Sequence, residues 1–266
     1  MVNKLEGMPR PNVVNLLECE DRREYTRREF EKLGVTNINF CMYERYENSN
    51  VKYVGDPKLI EETTKGVTSS HLLTIKRWLD STNEPMGIFF EDDVDFQTVQ
   101  HWNFTFRELI ERFGNKWDAL HLTNVFEYPY DVFNEYPPMI PRKRMLWDHG
   151  LQCYLLKRKY ASKLVKFYFD QGDETIHYRM PLGAPVTTEN NILHGFGRVY
   201  TFPIFNHNVT DFRSKNIYYY NEQAKSAFYS YEFLKDWWES VGSRYTLEDI
   251  FDKKRVEGQK YGEIEL

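Results

Sequence analysis

The chain has 266 residues, a formal net charge of −5 and a sequence isoelectric point of about 5.9. This length is enough to bury the core of one large domain with an appendage. The acidic balance provides no basic stripe for nucleic acid or anionic lipid, so we expect neither as a partner.

Targeting signals and cysteine usage suggest the compartment. The N-terminus lacks the apolar run of a signal peptide, and no apolar stretch approaches the roughly 20 residues that a membrane helix needs. The three cysteines, Cys19, Cys41 and Cys153, are too widely spaced for a disulfide framework or a zinc knuckle. We therefore expect a soluble, cytoplasmic protein with no membrane span and with reduced, mostly buried thiols.

Strand and helix signals alternate from the start of the chain. Asn12–Leu17 predicts a strand, and Asp21–Leu33 predicts an amphipathic helix that ends at Gly34. Val35–Tyr43 predicts a second strand. The polar stretch from 44 to 64 has no clear period, so it predicts a loop over one face.

The next helix and strand lead into the most informative motif. His71, Ile75 and Trp78 recur at i, i+4 and i+7, which predicts a helix over Thr68–Asp80. Gly87–Phe90 is short and apolar, as expected of a buried strand. Further predicted elements are helices at 104–113 and 158–169 and strands at 118–122, 151–156 and 198–202.

The alternation predicts an α/β fold in which helices flank a mostly parallel sheet. Tyr128–Arg144 carries four prolines and predicts an irregular loop, long enough to form a lid or an acceptor wall. From residue 212 the chain changes character. We expect residues 1–211 to form the main domain and residues 212–266 to form a C-terminal helical extension packed on it.

Four carboxylates, Glu91, Asp92, Asp93 and Asp95, directly follow the Gly87–Phe90 strand. Ligands of open α/β sheets bind at the carboxyl ends of strands. In an extended backbone Asp93 and Asp95 point to the same side and converge on one ion. An all-oxygen site favours Mg²⁺ or Mn²⁺. The alternative is a solvated acidic turn that caps a helix.

Four motifs, in this order, resemble those of glycosyltransferase family 25, the lipopolysaccharide-type and collagen-type glycosyltransferases. They are Val14-Asn-Leu with Asp21-Arg-Arg, Lys65-Gly66 leading to Ser70-His71, Phe90-Glu-Asp-Asp-Val, and Gly150–Leu156 followed by Ala161 and Leu164. The likeness covers about residues 12–211.

The resemblance implies a Rossmann-like fold of the GT-A type and an inverting hexosyltransferase of lipopolysaccharide or glycan biosynthesis. The implied donor is a nucleoside-diphosphate sugar, UDP-linked, with Mn²⁺ or Mg²⁺ as cofactor and a glycan or hydroxyl as acceptor. The family places the cation on Glu91-Asp92-Asp93, whereas Asp93-Val-Asp95 looks like the Asp-x-Asp motif of other GT-A enzymes. Both sets stay open, and Asp93 belongs to each.

An inverting enzyme needs a general base near the acceptor hydroxyl. In Pro185-Val-Thr-Thr-Glu-Asn the family usually shows Asp soon after the proline, and here Glu189 is the nearest carboxylate. Glu189 is therefore the first candidate base and Asp148 the second. The alternative for each is a helix cap or a solvated loop acid.

Other residues are candidates for holding the donor and the ion. Arg23, at the start of the first helix, is the arginine we expect to reach the diphosphate, in preference to Arg22. His207 follows the last strand and is a candidate metal ligand. The remaining donor-binding candidates are Asn15, Leu16, Ser70, His71 and Asp92.

Two other classes of function fit parts of the sequence. Carboxylates at strand ends also hold the ions of metal-dependent phosphohydrolases and nucleases, although the acidic balance disfavours a nuclease. A non-catalytic carbohydrate-binding protein on the same fold is the third class. Trp147 and Tyr154 are candidates to flank a sugar, although a tyrosine in an apolar run is more often core.

Overall fold

The computed structural model of the chain describes residues 3–44, 51–53, 62–125, 141–169, 175–178, 187–208, 222–240 and 242–252. The strands are β1 (Pro11–Leu16), β2 (Asn39–Tyr43), β3 (Val51–Tyr53), β4 (Met86–Glu91), β5 (Val94–Asp95), β6 (Ala119–His121), β7 (Arg142–Lys143), β8 (Cys153–Lys157), β9 (Ile176–Tyr178), β10 (Val199–Thr201) and β11 (Asn206–His207). The α-helices are α1 (Glu20–Lys32), α2 (Glu62–Ser81), α3 (Phe106–Phe113), α4 (Arg158–Tyr168), α5 (Thr188–Leu193), α6 (Glu222–Ser240) and α7 (Leu247–Ile250). Two short 3-10 helices cover Gln97–His101 and Gly242–Arg244.

Seven of the described strands form a central sheet in the order β2-β1-β4-β8-β6-β10-β7. β2, β1, β4, β6 and β10 all run in one direction, whereas β8 and β7 run against their neighbours. Helices flank this sheet. The prediction of a mixed α/β fold with a mostly parallel sheet is thus confirmed, but the two reversed strands were not predicted because strand direction leaves no trace in local hydrophobic periodicity.

The apolar strand β4 packs against helices on both faces of the sheet. Successive side chains of a strand point to opposite faces. Phe90 meets Phe30 of α1 edge-on, with ring centroids 5.2 Å apart, and Phe89 meets Trp78 of α2 at 5.8 Å on the other face. A side chain at Gly87 would place its Cβ 2.7 Å from the Trp78 ring, so this position needs glycine.

The predicted helices and strands exist, but several of their ends differ from the predictions. β2 begins at Asn39 rather than Val35, and α2 begins at Glu62, six residues before the predicted start. α1 ends at Lys32, followed by Gly34 with a φ of +77°, as expected of a glycine beyond a helix end. The sequence pattern predicted where the helices and strands lie, but not their exact ends, which depend on tertiary contacts.

The C-terminal helix α6 packs on the same hydrophobic cluster as the sheet. Its Leu234 and Trp238 belong to the buried cluster that also contains Val13, Ile88 and Phe205. The predicted boundary between residues 211 and 212 lies outside the described residues and stays a prediction.

The structure describes the two predicted loops only in part, and each contains a short strand that was not predicted. Within 44–64, residues 51–53 form β3, which pairs with β9, and within 128–144 residues 142 and 143 form β7. Cys41 and Cys153 are buried and Cys19 is half-buried, and all three are free thiols, in agreement with the prediction. Of the helices that the structure describes, none has both the length and the apolar character to cross a membrane.

Candidate functional site

The candidate site lies at the carboxyl edge of the sheet, where β1 meets β4. The chain leaves β1 through α1 to pair β2 on one side, and later returns through α2 to pair β4 on the other. This reversal makes the gap between β1 and β4 a topological switch point, the usual ligand crevice of open α/β sheets. Asn15 near the end of β1 and Asp92 just after β4 face each other across it, and the Asn15 amide donates a 2.6 Å hydrogen bond to Oδ2 of Asp92.

Arg22 of α1 neutralises the acidic segment. One of its guanidinium nitrogens, Nη2, lies 2.5 Å from Oδ1 of Asp92 and 3.0 Å from Oδ2 of Asp93. Arg23 also points to the site, since its Nη1 donates to Oδ1 of Asn15 at 2.6 Å. The expectation that Arg23 alone would face inward was wrong. Both side chains are long enough to reach the cluster, Arg22 directly and Arg23 through Asn15.

Burial and neighbouring charges shift the pKa values of Asp92 and Asp93 in opposite directions. Burial raises the pKa of Asp93, but the His207 imidazole and Arg22 outweigh it and hold that pKa at about 2. Burial, together with the charge of Asp93, raises the pKa of Asp92 to about 7 against the opposing effect of Arg22. The two carboxyls titrate as a pair, with the negative charge concentrated on Asp93.

Asp93 and Asp95 do not lie in one continuous strand. The extended path assumed for Asp93-Val-Asp ends at Glu91, because the backbone turns at Asp92 and Asp93. Oδ1 of Asp95 accepts a 2.7 Å hydrogen bond from the backbone N–H of Gln97, at the start of a 3-10 helix. The prediction of one continuous strand through Asp93 and Asp95 was therefore wrong, and the choice between the two acidic sets stays a prediction.

His207 arrives at the acidic segment through a pairing of distant residues. β11 pairs antiparallel with β5, so that His207 lies opposite Val94. Its Nε2–H donates to Oδ2 of Asp93 at 3.0 Å, and the backbone N–H of Asn208 donates to the Asp93 carbonyl at 2.7 Å. The sequence placed His207 near the acids, and the structure brings it there.

Asp93 keeps one oxygen without a partner. The residue is 8% exposed, and Oδ1 is buried and accepts no hydrogen bond from the part of the chain that the structure describes. Within the same residues, no group of three or more His, Cys, Asp and Glu side chains is arranged to hold a metal ion unaided.

Buried residues orient the Glu91 carboxylate through hydrogen bonds to both of its oxygens. Nε2 of His71 lies 3.1 Å from Oε1 of Glu91, and the other ring nitrogen lies 2.8 Å from the Tyr154 hydroxyl. Gln152 donates to Oε2 at 3.3 Å. His71 and Tyr154 are fully buried, so they position Glu91 and are placed as core residues rather than as ligand contacts. The neighbouring Ser70 hydroxyl donates to the Gly66 carbonyl of its own helix at 3.0 Å.

Glu189 lies at the same edge of the sheet, beyond β8. It stands in the first turn of α5, capped by Thr187, and its Oε1 accepts a 2.8 Å hydrogen bond from the backbone N–H of Gly150. Burial raises the pKa of Glu189, but His149 and the backbone donors lower it further, so the net shift is downward. The carboxylate is half-buried and ionised at neutral pH.

Asp148, the second candidate base, is enclosed. The side chain is 1% exposed, and the Arg142 guanidinium binds both of its oxygens. Thr201 and the backbone N–H of Met145 each donate at 2.8 Å, and Asn124 donates at 3.2 Å. Burial raises the pKa of Asp148, yet Arg142 and the other donors hold it at about 2. This arrangement fits a structural carboxylate.

The sequence analysis missed three contributors to the site. Arg22 was visible in the Asp21-Arg-Arg motif but was ranked below Arg23. Gly150 and Gln152 come from the segment before β8, and they reach the carboxyl edge because β8 is reversed, which placed Gln152 opposite Glu91. Leu16, a predicted donor contact, is the half-buried last residue of β1.

Comparisons with known proteins add little to this geometry. Neither a protein-family profile nor a curated protein sequence matches the chain. Among solved structures, the crystal structure of A197 from STIV matches with a TM-score of 0.37 and 12% sequence identity, over 74% of this chain and 84% of that one. A likeness of this size carries no argument, so the function has to be argued from the site.

Proposed function

We propose that this protein is a glycosyltransferase of the GT-A type, similar to family 25, that moves a hexose from a nucleoside-diphosphate sugar to a hydroxyl of a saccharide. The observation that carries the proposal is the pair of carboxylate centres on one sheet edge. The acidic segment with Arg22 lies at the switch point, and the ionised Glu189 lies beyond β8. A diphosphate leaving group and an acceptor hydroxyl require two such centres.

The donor half of the reaction falls to the residues between β1 and β4. Arg22 and Arg23 bring two positive charges to the crevice, and guanidinium groups suit phosphate oxygens. Asn15 connects Arg23 to Asp92 through hydrogen bonds of 2.6 Å on both sides. This chain of contacts fixes the positive charges before the donor arrives, which lowers the reorganisation needed as the diphosphate gains charge.

The carboxylate oxygens of this site fit a divalent ion whose remaining ligands are waters or phosphate oxygens. The unpartnered Oδ1 of Asp93 is the oxygen that would take Mn²⁺ or Mg²⁺, and Glu91 is the second carboxylate oriented at this edge. Mg²⁺ is commonly bound by one or two carboxylates plus waters and substrate phosphates, so two protein ligands suffice. When bound, the ion supplies Lewis-acid stabilisation of the departing diphosphate.

The acceptor half falls to Glu189. The Gly150 N–H fixes one carboxylate oxygen, and the lowered pKa keeps the group ionised, which is the state that a base requires. As the acceptor oxygen attacks the anomeric carbon, its proton passes to Glu189 and the bond from that carbon to the phosphate oxygen breaks. Attack on the face opposite the leaving group inverts the anomeric configuration.

A thermal-shift screen of nucleotide sugars with and without Mn²⁺ tests the proposal. A bound donor should raise the melting temperature further in the presence of the ion than either addition does alone, because only the native state binds both. UDP-galactose and UDP-glucose are the first probes, with UMP and free galactose as controls. Hydrolysis of simple phosphodiesters without sugar transfer would instead support a phosphohydrolase, and saccharide binding indifferent to nucleotide and ion would support a carbohydrate-binding protein.

A further inference from the structure

Trp147 is placed unlike every other tryptophan of the chain. All six tryptophans lie in described ranges, and Trp78, Trp102, Trp117 and Trp238 are buried while Trp237 is partly buried against the core. Trp147 is 58% exposed. The exposed indole offers a flat apolar face that another molecule could cover.

The segment around Trp147 is held on both sides. Asp148, the next residue, is locked by Arg142, Thr201 and the Met145 backbone. The carbonyl of Leu146, the preceding residue, accepts a 3.1 Å hydrogen bond from the Asn190 side chain. Hydrogen bonds thus fix the backbone on both sides of Trp147, and the position of the exposed indole follows from these contacts.

The same contacts tie Trp147 to the candidate base. Asn190, which holds Leu146, is the neighbour of Glu189 in α5. Gly150, three residues after Trp147, donates its N–H to Glu189. The segment that carries the indole and the helix that carries the carboxylate are therefore joined by hydrogen bonds, on the side of β8 away from the β1–β4 crevice.

We propose that Trp147 is the stacking platform for a saccharide acceptor, with Glu189 and His149 as the polar groups that face the sugar hydroxyls. The identification of the saccharide as acceptor rests on the proposed transferase function. An apolar peptide would need a continuous apolar patch, whereas the other large exposed apolar side chains among the described residues (Leu17, Met42, Val67 and Tyr229) stand on other elements. An exposed ring on a segment that is hydrogen-bonded to a carboxylate suits the apolar face and hydroxyl rim of a pyranose.

Iodide quenching of intrinsic fluorescence tests the platform without any turnover. Lactose, maltotriose and N,N′-diacetylchitobiose are titrated into the full chain in the absence of nucleotide. We expect at least one of them to shield the quenchable indole, and the Trp147→Ala variant to lose that binding by tenfold or more, with UDP binding unchanged. Trp147→Phe, which keeps a ring, should recover part of the affinity, and Tyr229→Ala, which removes another exposed ring, should bind as the native chain does.

Three results would overturn the platform: none of the three saccharides binds, binding survives in Trp147→Ala, or UDP rather than a saccharide shields the indole. Equal melting temperatures of the native chain and Trp147→Ala exclude unfolding as the cause of a loss. Because the assay needs no donor, saccharide binding through Trp147 without any nucleotide-sugar binding would support the platform while contradicting the transferase. Joint binding of UDP-sugar and Mn²⁺ with no saccharide at Trp147 would support the transferase and contradict the platform.

Discussion

The side-chain amide of Asn15 and Oδ2 of Asp92 are joined by a 2.6 Å hydrogen bond between two strand ends that are 77 residues apart in the chain. The same Asn15 accepts from Arg23 through its oxygen. Asn15 therefore links the acidic segment to the second arginine of α1, and its removal should be felt at Asp92.

A double-mutant cycle of Asn15→Ala and Asp92→Asn measures this link. At about pH 8.5, above the Asp92 pKa of about 7, this carboxyl is charged. Hydrogen bonds to charged groups contribute about 1.5–3 kcal/mol, so we expect a coupling energy of that size in urea unfolding at that pH. Asn12 supplies the control, because it lies in the same strand and its amide donates instead to the Ile88 carbonyl. Asn12→Ala and Asp92→Asn should be additive, and additivity in the Asn15 cycle would contradict the link.

Glu189→Gln should lower kcat by about 10²–10⁴, the usual contribution of general base catalysis, while the donor Kd stays unchanged. The amide keeps an oxygen for the Gly150 N–H but cannot take a proton at neutral pH. Turnover is measured by release of UDP and donor binding by calorimetry. Glu31→Gln, at an exposed position of α1, is the control and should keep full activity. Full turnover in Glu189→Gln would remove this residue from the role of base.

Arg22→Gln should destabilise the fold by about 3–5 kcal/mol, because it leaves buried carboxylates without their cation. Mn²⁺ should then raise the melting temperature of the variant more than that of the native chain, since a competing positive charge is gone. Arg28→Gln on the exposed side of α1 controls for the loss of charge. Equal Mn²⁺ responses of the native chain and Arg22→Gln would count against an ion at Asp93.

His121 should make the fold sensitive to mild acid. Burial, reinforced by Arg144, lowers the pKa of His121 to about 4, and Nε2–H donates to the Gly150 carbonyl. Because the unfolded chain takes up the proton first, stability is complete above about pH 6.5 and falls by about 3 kcal/mol as the pH drops to about 4. Urea titrations at several pH values should show this slope, and His121→Gln, which retains a donor, should flatten it. An equal slope in the variant would show that other groups govern the pH response.

Asp148→Asn should lower the free energy of unfolding by about 3–5 kcal/mol, since it leaves the Arg142 charge unpaired in a buried site. Asp118→Asn, which removes the partner of the exposed Arg198, should cost less than about 1 kcal/mol. The folded pKa of about 2 adds a second signature, because the stability due to Asp148 is present above about pH 4 and is lost as the pH falls towards 2. An Asp148→Asn variant of native stability but without turnover would indicate a catalytic carboxylate.

The local sequence pattern was enough to predict the strands and helices and to place the acidic segment after β4. The spacing of His71, Ile75 and Trp78 predicted their common buried face, and the apolar run before Glu91 predicted β4. Both signals depend on side chains a few residues apart, which share a face whatever the rest of the chain does.

The arrangement within the site depends on contacts between distant segments, and there the predictions were weaker. Asp95 belongs to β5, which pairs with β11 more than 100 residues later in the chain, whereas Asp93 lies in the turn before it. Asp148 is enclosed by residues from three other segments, which no spacing reveals. The expectation that only one of Arg22 and Arg23 faces inward failed because neighbours on a helix can both reach a cluster when their side chains are long.

The reversed direction of β8 has a consequence for how this protein could diversify. Residues 144–152 run from the outer strand β7 to the central strand β8 along a single rim, and both ends are hydrogen-bonded into the sheet. They carry Trp147 and Gly150 without contributing a strand of their own. A graft that changes Trp147 and its exposed neighbours but keeps Asp148, Gly150 and Gln152 would present a different surface while the hydrogen bonds to Arg142, Glu189 and Glu91 stay in place.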